Sequence, residues 1–195
     1  TADTLNLPTP EVERHDILVK PSQIQKEMVE KLGERAEKIR DGKVDPKEDN
    51  MLKITNEGRK LALDQRIMNN MLEDDENGKV ATCAKNVFEI WQKTKEEKLT
   101  QLVFCDLSTP KQFEEQYDED ENYVFTDVYN DLRRKLVLKG IPRQEIAFIH
   151  EANNETQKRE LFAKVKKGEI RVLIGSTSKM GAGTNVQDRL IAAHH

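Results

Sequence analysis

Short apolar runs, each preceded by a segment with helical periodicity, constrain the fold of this chain more than any other feature. The runs lie at 101–106, 145–149 and 171–174, and the helical segments before them lie at 80–98, 125–139 and 156–166. Strands of a parallel sheet that are buried on both faces are apolar throughout, and the helices that connect them cover the sheet. The pattern therefore predicts an α/β domain over residues 78–195, with a parallel sheet between two layers of helices. A further strand is expected to begin near Leu190.

The part of the chain before Gly78 has a different pattern. An extended lead-in or a short edge strand is expected first, and Pro21 and Ser22 then signal the start of a helix. Apolar residues at three- and four-residue steps predict that this helix ends at Gly42, and a turn-rich linker separates it from a second helical pattern that continues through Met71. Because 35% of the residues are charged and only 36% are hydrophobic, much of this helical surface must face solvent. We therefore expect residues 1–77 to form an extended lead-in and a two-helix appendage.

Composition and charge restrict the compartment and the partners. The formal net charge of −4 argues against a surface that binds phosphates everywhere, so any contact with nucleic acid must be local. No apolar stretch approaches the roughly 18–20 residues that span a bilayer, and the N-terminal residues lack the layout of a signal peptide. Cys83 and Cys105 have no metal-ligand spacing and are interpreted as small core residues. The expected location is the cytoplasm, with no membrane partner.

Several charged and polar residues are interpreted as structural or solvated. The acidic run 118–121 is too densely charged to pack, and it is expected to be a solvated loop or insertion. His150 follows a strand without a nucleophile or metal ligand in register, which favours a structural role over acid/base chemistry. Basic residues near two helices are expected on solvated faces. They are Arg133, Arg134, Lys135, Lys164, Lys166, Lys167 and Arg171.

The segment IGSTSKMGAGTNVQ, at 174–187, carries most of the functional information because it directly follows a buried strand. Ligands of parallel sheets gather at the carboxyl ends of the strands, where small residues let backbone amides approach a phosphate. The small residues are Gly181, Ala182 and Gly183, and the polar donors beside them are Ser176, Thr177, Thr184 and Lys179. Without further context, a tight turn from strand to helix explains the glycines equally well.

The order of motifs from Gly78 onward resembles the second motor lobe of superfamily-two helicases, and among these the Swi/Snf-type DNA translocases. One family motif is a strand that ends in a hydroxyl residue, as LVFCDLST does at 102–109. Another has Ser or Thr, a Gly-x-Gly and an Asn followed by an aliphatic residue. It is matched by Thr177, Gly181, Gly183, Asn185 and Val186. The positions between these motifs are matched by His150, Arg159, Phe162 and Gly168, while Glu151 stands where a glycine is usual. DNMLKITNEGRKLALDQR, at 49–66, is similar to the large helicase-methylase fusion proteins of bacterial mobile elements.

This resemblance implies a RecA-like lobe, truncated after the Gly-x-Gly motif, that grips the DNA backbone and couples it to ATP hydrolysis. The residues implied in DNA binding are Ser108, Thr109, Thr177, Gly181 and Gly183, and those implied in ATP coupling are Asn185 and Gln187. ATP and Mg are the cofactors of the complete enzyme, and its first motor lobe is the intramolecular partner. A phosphate loop, a DExx box and the later arginine motif do not occur in the sequence, so we expect no ATP hydrolysis by this chain alone, no catalytic residue and no metal ligand.

Two other classes of function fit parts of the sequence. A non-enzymatic interaction module would use the charged two-helix appendage to dock a partner and the sheet as a scaffold, and fold alone does not distinguish it from a motor lobe. A nucleotide-binding regulator would use the turn at 181–183 and would need an acidic residue about 20 positions later to bind ribose.

Overall fold

The computed structural model describes residues 11–181 and 184–195. Its N-terminal helices are α1 (Gln23–Arg40) and α2 (Met51–Leu63). The rest comprises α3 (Lys79–Lys93), β1 (Thr100–Phe104), β2 (Gln116–Tyr117), β3 (Tyr123–Val124), α4 (Val128–Lys139), β4 (Ile146–Phe148), α5 (Glu155–Lys167), β5 (Val172–Gly175), α6 (Thr177–Met180) and β6 (Leu190–His194). None of the helices in these ranges is long and apolar enough to cross a membrane.

The central sheet has four parallel strands in the order β4-β5-β1-β6. Alternate residues of its strands enter two separate hydrophobic clusters. Val103 and Ile174 pack with α3 and α4, whereas Leu102 and Leu173 pack with Val165 of α5 and with α6. The prediction of a parallel α/β sheet covered by helices on both faces and preceded by a helical segment is therefore confirmed, and the arrangement is consistent with a RecA-like fold. The strand expected near Leu190 is β6.

The N-terminal helices begin where the sequence predicts. Ser22 caps α1 in a capping box with Gln25, and a Gln25 side-chain amide donates to the carbonyl of Leu61 on α2 at 2.8 Å. No residue of α1 is buried, and its contacts are mainly with α2. Residues 17–19 form no strand, and Leu18 is 96% exposed. Residues 11–20 therefore form neither a helix nor a strand, and the rest of the expected lead-in lies outside the described residues.

The second helical pattern was predicted to continue through Met71, and this prediction is wrong. Helix α2 ends at Leu63 because Asp64 is extended and its carboxylate accepts the N–H of Arg66, which starts a 3-10 turn at Gln65–Ile67. The same turn places the Arg66 guanidinium within 2.7 Å of Asp64 and of Asp131 on α4. A buried ion pair therefore links the N-terminal helices to the α/β part of the chain.

Three of the basic residues expected on solvated faces are instead buried or nearly so. Arg171 donates to the carbonyls of Trp91 and Thr94, which end α3, and stacks over the Trp91 ring. Arg133 lies over the Phe148 ring at 4.0 Å and pairs with Glu151, and Lys135, whose side chain is only 12% exposed, pairs with Asp74 as well as with Asp131. Each cation has acceptors from distant residues, which local sequence patterns do not reveal.

The cysteines and the acidic run behave largely as expected. Cys83 and Cys105 are half-buried and pack against the core on the α3–α4 face. Burial raises the pKa of Cys83 to about 12 and that of Cys105 to about 11, so both thiols stay protonated at neutral pH. The acidic run 118–121 is exposed, but it forms the tip of the antiparallel β2–β3 hairpin, which the sequence did not predict.

Gly168 is predicted to be intolerant of a side chain. It ends α5 with φ +73°, and a Cβ there would lie 2.7 Å from the backbone oxygen of Lys98. We expect Gly168→Ala to lower the free energy of unfolding by about 1–3 kcal/mol in urea denaturation, because both the backbone angle and the contact are unfavourable. Gly33→Ala is the matched control, since Gly33 lies inside α1 with open space around it. That variant should gain about 0.5–1 kcal/mol, and equal effects of the two variants would contradict this explanation.

Candidate functional site

The sheet topology locates a crevice between the carboxyl ends of β1 and β5. These strands are neighbours, with Phe104 opposite Gly175. The chain leaves β1 toward α4 on one face of the sheet, and it leaves β5 toward α6 on the other face. In open α/β sheets, ligands bind where adjacent connections diverge in this way. Thr177 and the end of the LVFCDLST segment therefore lie side by side at the crevice.

The two sides of the crevice are joined by Asp106. The Thr177 N–H donates to Asp106 Oδ1 at 2.7 Å, and the Thr177 hydroxyl donates to Asp106 Oδ2 at 2.9 Å. A backbone bond from the N–H of Cys105 to the carbonyl of Gly175, at 2.9 Å, extends the strand pairing to the same point. Thr177 and Asp106 are both exposed. The Thr177 donors that the resemblance assigns to a phosphate therefore bind a carboxylate in this structure.

Sequence reasoning missed Asp106. An acidic residue directly after one strand can accept from the N-terminal turn of a helix that follows a neighbouring strand. The sequence contains that acid, but the register that places it against Thr177 comes from pairing between β1 and β5.

Ser108 and Thr109 were expected at the end of a strand and the start of a helix. The helix part of this expectation is wrong, because the β2–β3 hairpin follows and α4 begins only at Val128. Ser108 nevertheless lies at a helix N-terminus, since its Oγ accepts the N–H of Val128 at 3.0 Å. Its φ of +54° places it in the left-handed region, which is unusual for a non-glycine residue. The hydroxyl hydrogen of Ser108 remains a donor, and Thr109 is exposed beside it.

The Gly-x-Gly motif is only partly described. Gly181 follows α6, and its N–H donates to the carbonyl of Thr177 at 2.7 Å, so this amide is occupied within the helical turn. Gly183 lies outside the described residues. Asn185 and Gln187, the residues implied in ATP coupling, are exposed in the segment between α6 and β6. The structure therefore places Thr177 and Ser108 at the crevice but leaves the glycine contribution undefined.

His150 and Lys179 lie at the same edge of the sheet. The His150 ring meets the ring of Tyr129 edge-on at 5.3 Å, and its Nδ1 is buried with no partner in the described part of the chain. Burial, with a smaller contribution from the positive charge of Lys179, lowers the pKa of His150 from its usual value and so favours the neutral imidazole. Glu151 pairs with Arg133 rather than with His150. This geometry offers no acid/base pair.

A second group of acids lies away from the crevice, where α4 meets the N-terminal helices. Carboxylate oxygens of Asp64, Asp74 and Asp131 lie within 4.8 Å of one another, a spacing that could hold a metal ion. The cation positions among them are filled by Arg66 and Lys135. The group is therefore an ion network in which two cations offset three carboxylates.

No protein-family model, curated protein or solved structure matches this chain. The arrangement at the crevice can donate hydrogen bonds to an anion from Thr177, Ser108 and Thr109. The Asp106 carboxylate competes for the Thr177 donors.

Proposed function

We propose that this chain is the second motor lobe of an ATP-dependent DNA translocase of the superfamily-two helicase class, and that the crevice between β1 and β5 holds the DNA backbone. The observation that supports this proposal is the convergence of Thr177 and the Ser108 segment at one sheet edge, joined by Asp106. The resemblance of both segments to motor-lobe motifs supports it independently.

The chemistry of the proposed contact is that of backbone recognition. Backbone N–H groups and hydroxyls donate to phosphate oxygens without reading the base sequence. Thr177 supplies one of each, and Ser108 and Thr109 supply hydroxyls one strand away. A phosphate that binds Thr177 must first displace the Asp106 carboxylate. DNA binding by this chain is then weak and local, in keeping with its net charge of −4.

In this proposal the lobe does not hydrolyse ATP alone. ATP and Mg bind to the first motor lobe of the complete enzyme. Asn185 and Gln187 couple the state of the bound nucleotide to the contact with DNA. Both residues lie in the segment that connects α6 to β6, on the C-terminal side of the helix that begins at Thr177.

The binding of duplex DNA tests the proposal. We expect a short fluorescein-labelled duplex to bind the chain at low salt, with an affinity that falls steeply as salt is raised, measured by fluorescence anisotropy. Thr177→Val removes the hydroxyl but keeps the backbone N–H, and it should weaken binding about fivefold, the value of one hydrogen bond.

Thr55→Val is the matched control, because Thr55 is exposed on α2 and its hydroxyl bonds only to the carbonyl of Met51. This variant should bind DNA as the unaltered chain does. Equal affinities of the Thr177 and Thr55 variants would remove Thr177 from the DNA contact.

A further inference from the structure

A groove lies between the β2–β3 hairpin and α4, outside the proposed DNA contact. Its volume is about 430 Å³, and its walls include Tyr117 and Tyr123 from the hairpin and Arg134, Val137 and Leu138 from α4. The two tyrosine rings meet edge-on with centroids 6.1 Å apart, and Arg134 lies over the Tyr123 ring at 4.3 Å. Side chains from both the hairpin and α4 therefore line the groove.

The floor of this groove is apolar and uncovered. Leu138 is 70% exposed, Tyr117 is 54% exposed and Val137 is 36% exposed. Leu138 and Val137 lie in the last turns of α4, while the opposite face of that helix enters the core through Leu132 and Leu136. A contiguous apolar surface of this kind favours a binding site over a solvated face.

The rim of the groove is acidic. The carboxylate of Asp118 accepts the N–H groups of Asp120 and Asn122 at 3.0 and 2.8 Å, which shapes the hairpin tip, and these bonds hold the pKa of Asp118 below its usual value. The side chains of Glu119, Asp120 and Glu121 form no salt bridge with the residues that the structure describes. Glu114, whose side chain is 86% exposed, adds a carboxylate that pairs with Arg143. The surplus of negative charge disfavours nucleic acid here.

We propose that this groove binds a basic peptide segment of a partner protein, with one apolar residue inserted between Tyr117 and Leu138 and with Lys or Arg side chains on both flanks facing the hairpin tip. Charge complementarity selects this occupant, since Glu121 lines the groove with the exposed Tyr117 and Leu138, and Glu119 and Asp120 precede it at the exposed hairpin tip. A cavity of this size holds one or two side chains, which suits a short anchor rather than a folded domain.

A synthetic peptide tests the proposal, acetyl-Lys-Arg-Lys-Leu-Lys-Arg-Lys-amide, titrated into the isotopically labelled chain and followed by backbone amide NMR shifts. We expect saturable shifts centred on Tyr117, Leu138 and the hairpin tip, and weaker binding as salt is raised. A peptide with Gly in place of its Leu should bind about tenfold more weakly, because it lacks the buried apolar anchor.

Variants of exposed side chains separate the groove from general charge attraction. Leu138→Ala, and a double variant Glu119→Gln with Asp120→Asn, should each weaken binding about tenfold. Their matched controls are Leu52→Ala, at an 81% exposed leucine on α2, and Glu30→Gln with Glu34→Gln on exposed α1. These controls should leave peptide affinity unchanged.

Three results would overturn the proposal. The first is that the peptide-induced amide shifts are scattered over the surface, or that the control variants weaken peptide binding as much as the groove variants do. The second is competition by duplex DNA for the same amides. The third is concentration-dependent shifts of Tyr117 and Leu138 without peptide, which would assign the groove to a second copy of this chain.

Discussion

Replacement of Arg66 by Ala is expected to lower the free energy of unfolding by about 3 kcal/mol or more, the usual loss when one partner of a buried ion pair is removed. The Arg66 side chain is 4% exposed and bonds to Asp64 and Asp131, whose side chains are 8% and 0% exposed. Burial opposes the charge of Arg66, but hydrogen bonds from its guanidinium to Asp64 and Asp131 outweigh that effect and raise its pKa. Without Arg66, the Asp64 carboxylate has no salt-bridge partner among residues 11–181 and 184–195, and Asp131 retains Lys135.

Urea denaturation followed by circular dichroism and by the fluorescence of Trp91 would measure this loss. Trp91 lies in the core beside α4, so its signal reports the α/β part, whereas dichroism includes α1 and α2. Arg66→Lys should be intermediate, because an ammonium cannot make the two-oxygen contacts of a guanidinium. Arg59→Ala, at an exposed position on α2, is the control and should change stability by less than about 0.5 kcal/mol. A loss below about 1 kcal/mol for Arg66→Ala would mean that the ion network does not hold the two parts together.

Replacement of Asp106 by Asn is expected to raise the affinity for duplex DNA about tenfold, because the change removes a negative charge from the position proposed for a phosphate. The amide oxygen of Asn can still accept from Thr177, so the link between the β1 and β5 ends is kept in weaker form. Fluorescence anisotropy at several salt concentrations would measure the gain.

An increase in affinity is informative because a damaged fold would lower affinity rather than raise it. Asp188→Asn is the matched control, since Asp188 is an exposed acid in the segment after α6, and it should change affinity less than twofold if the effect is local. If Asp106→Asn leaves the affinity for DNA unchanged while Thr177→Val weakens it as expected, the phosphate binds beside the Asp106 carboxylate and does not displace it.

The groove at the β2–β3 hairpin is relevant to the hypothesis that the chain is a non-enzymatic interaction module. An interaction module was expected to dock its partner through the charged two-helix appendage. The groove at Tyr117, Leu138 and the hairpin tip offers a different surface for a partner. A motor lobe with such a groove would contact DNA at one edge and a basic partner peptide at another.

Local pattern determined much of the fold. The apolarity of residues 102–105 and 172–174 predicts strands buried on both faces, because a parallel sheet covered by helices removes both of its faces from water. Ser22 predicts the start of α1 for an equally local reason, since its side chain caps the helix three residues away.

Only the tertiary structure determined the features that join distant residues. Helix α2 ends at the turn that Asp64 starts. The Arg66 guanidinium in that turn pairs with Asp131, which lies 65 positions after Arg66. The state of Thr177 depends on Asp106, 71 positions away, and the burial of Arg171 depends on carbonyls at the end of α3. A charged residue has the same local sequence pattern whether water solvates it or a distant residue pairs with it. Its environment is therefore set by packing of the whole chain, which is why the candidate site was only partly predictable from its residues.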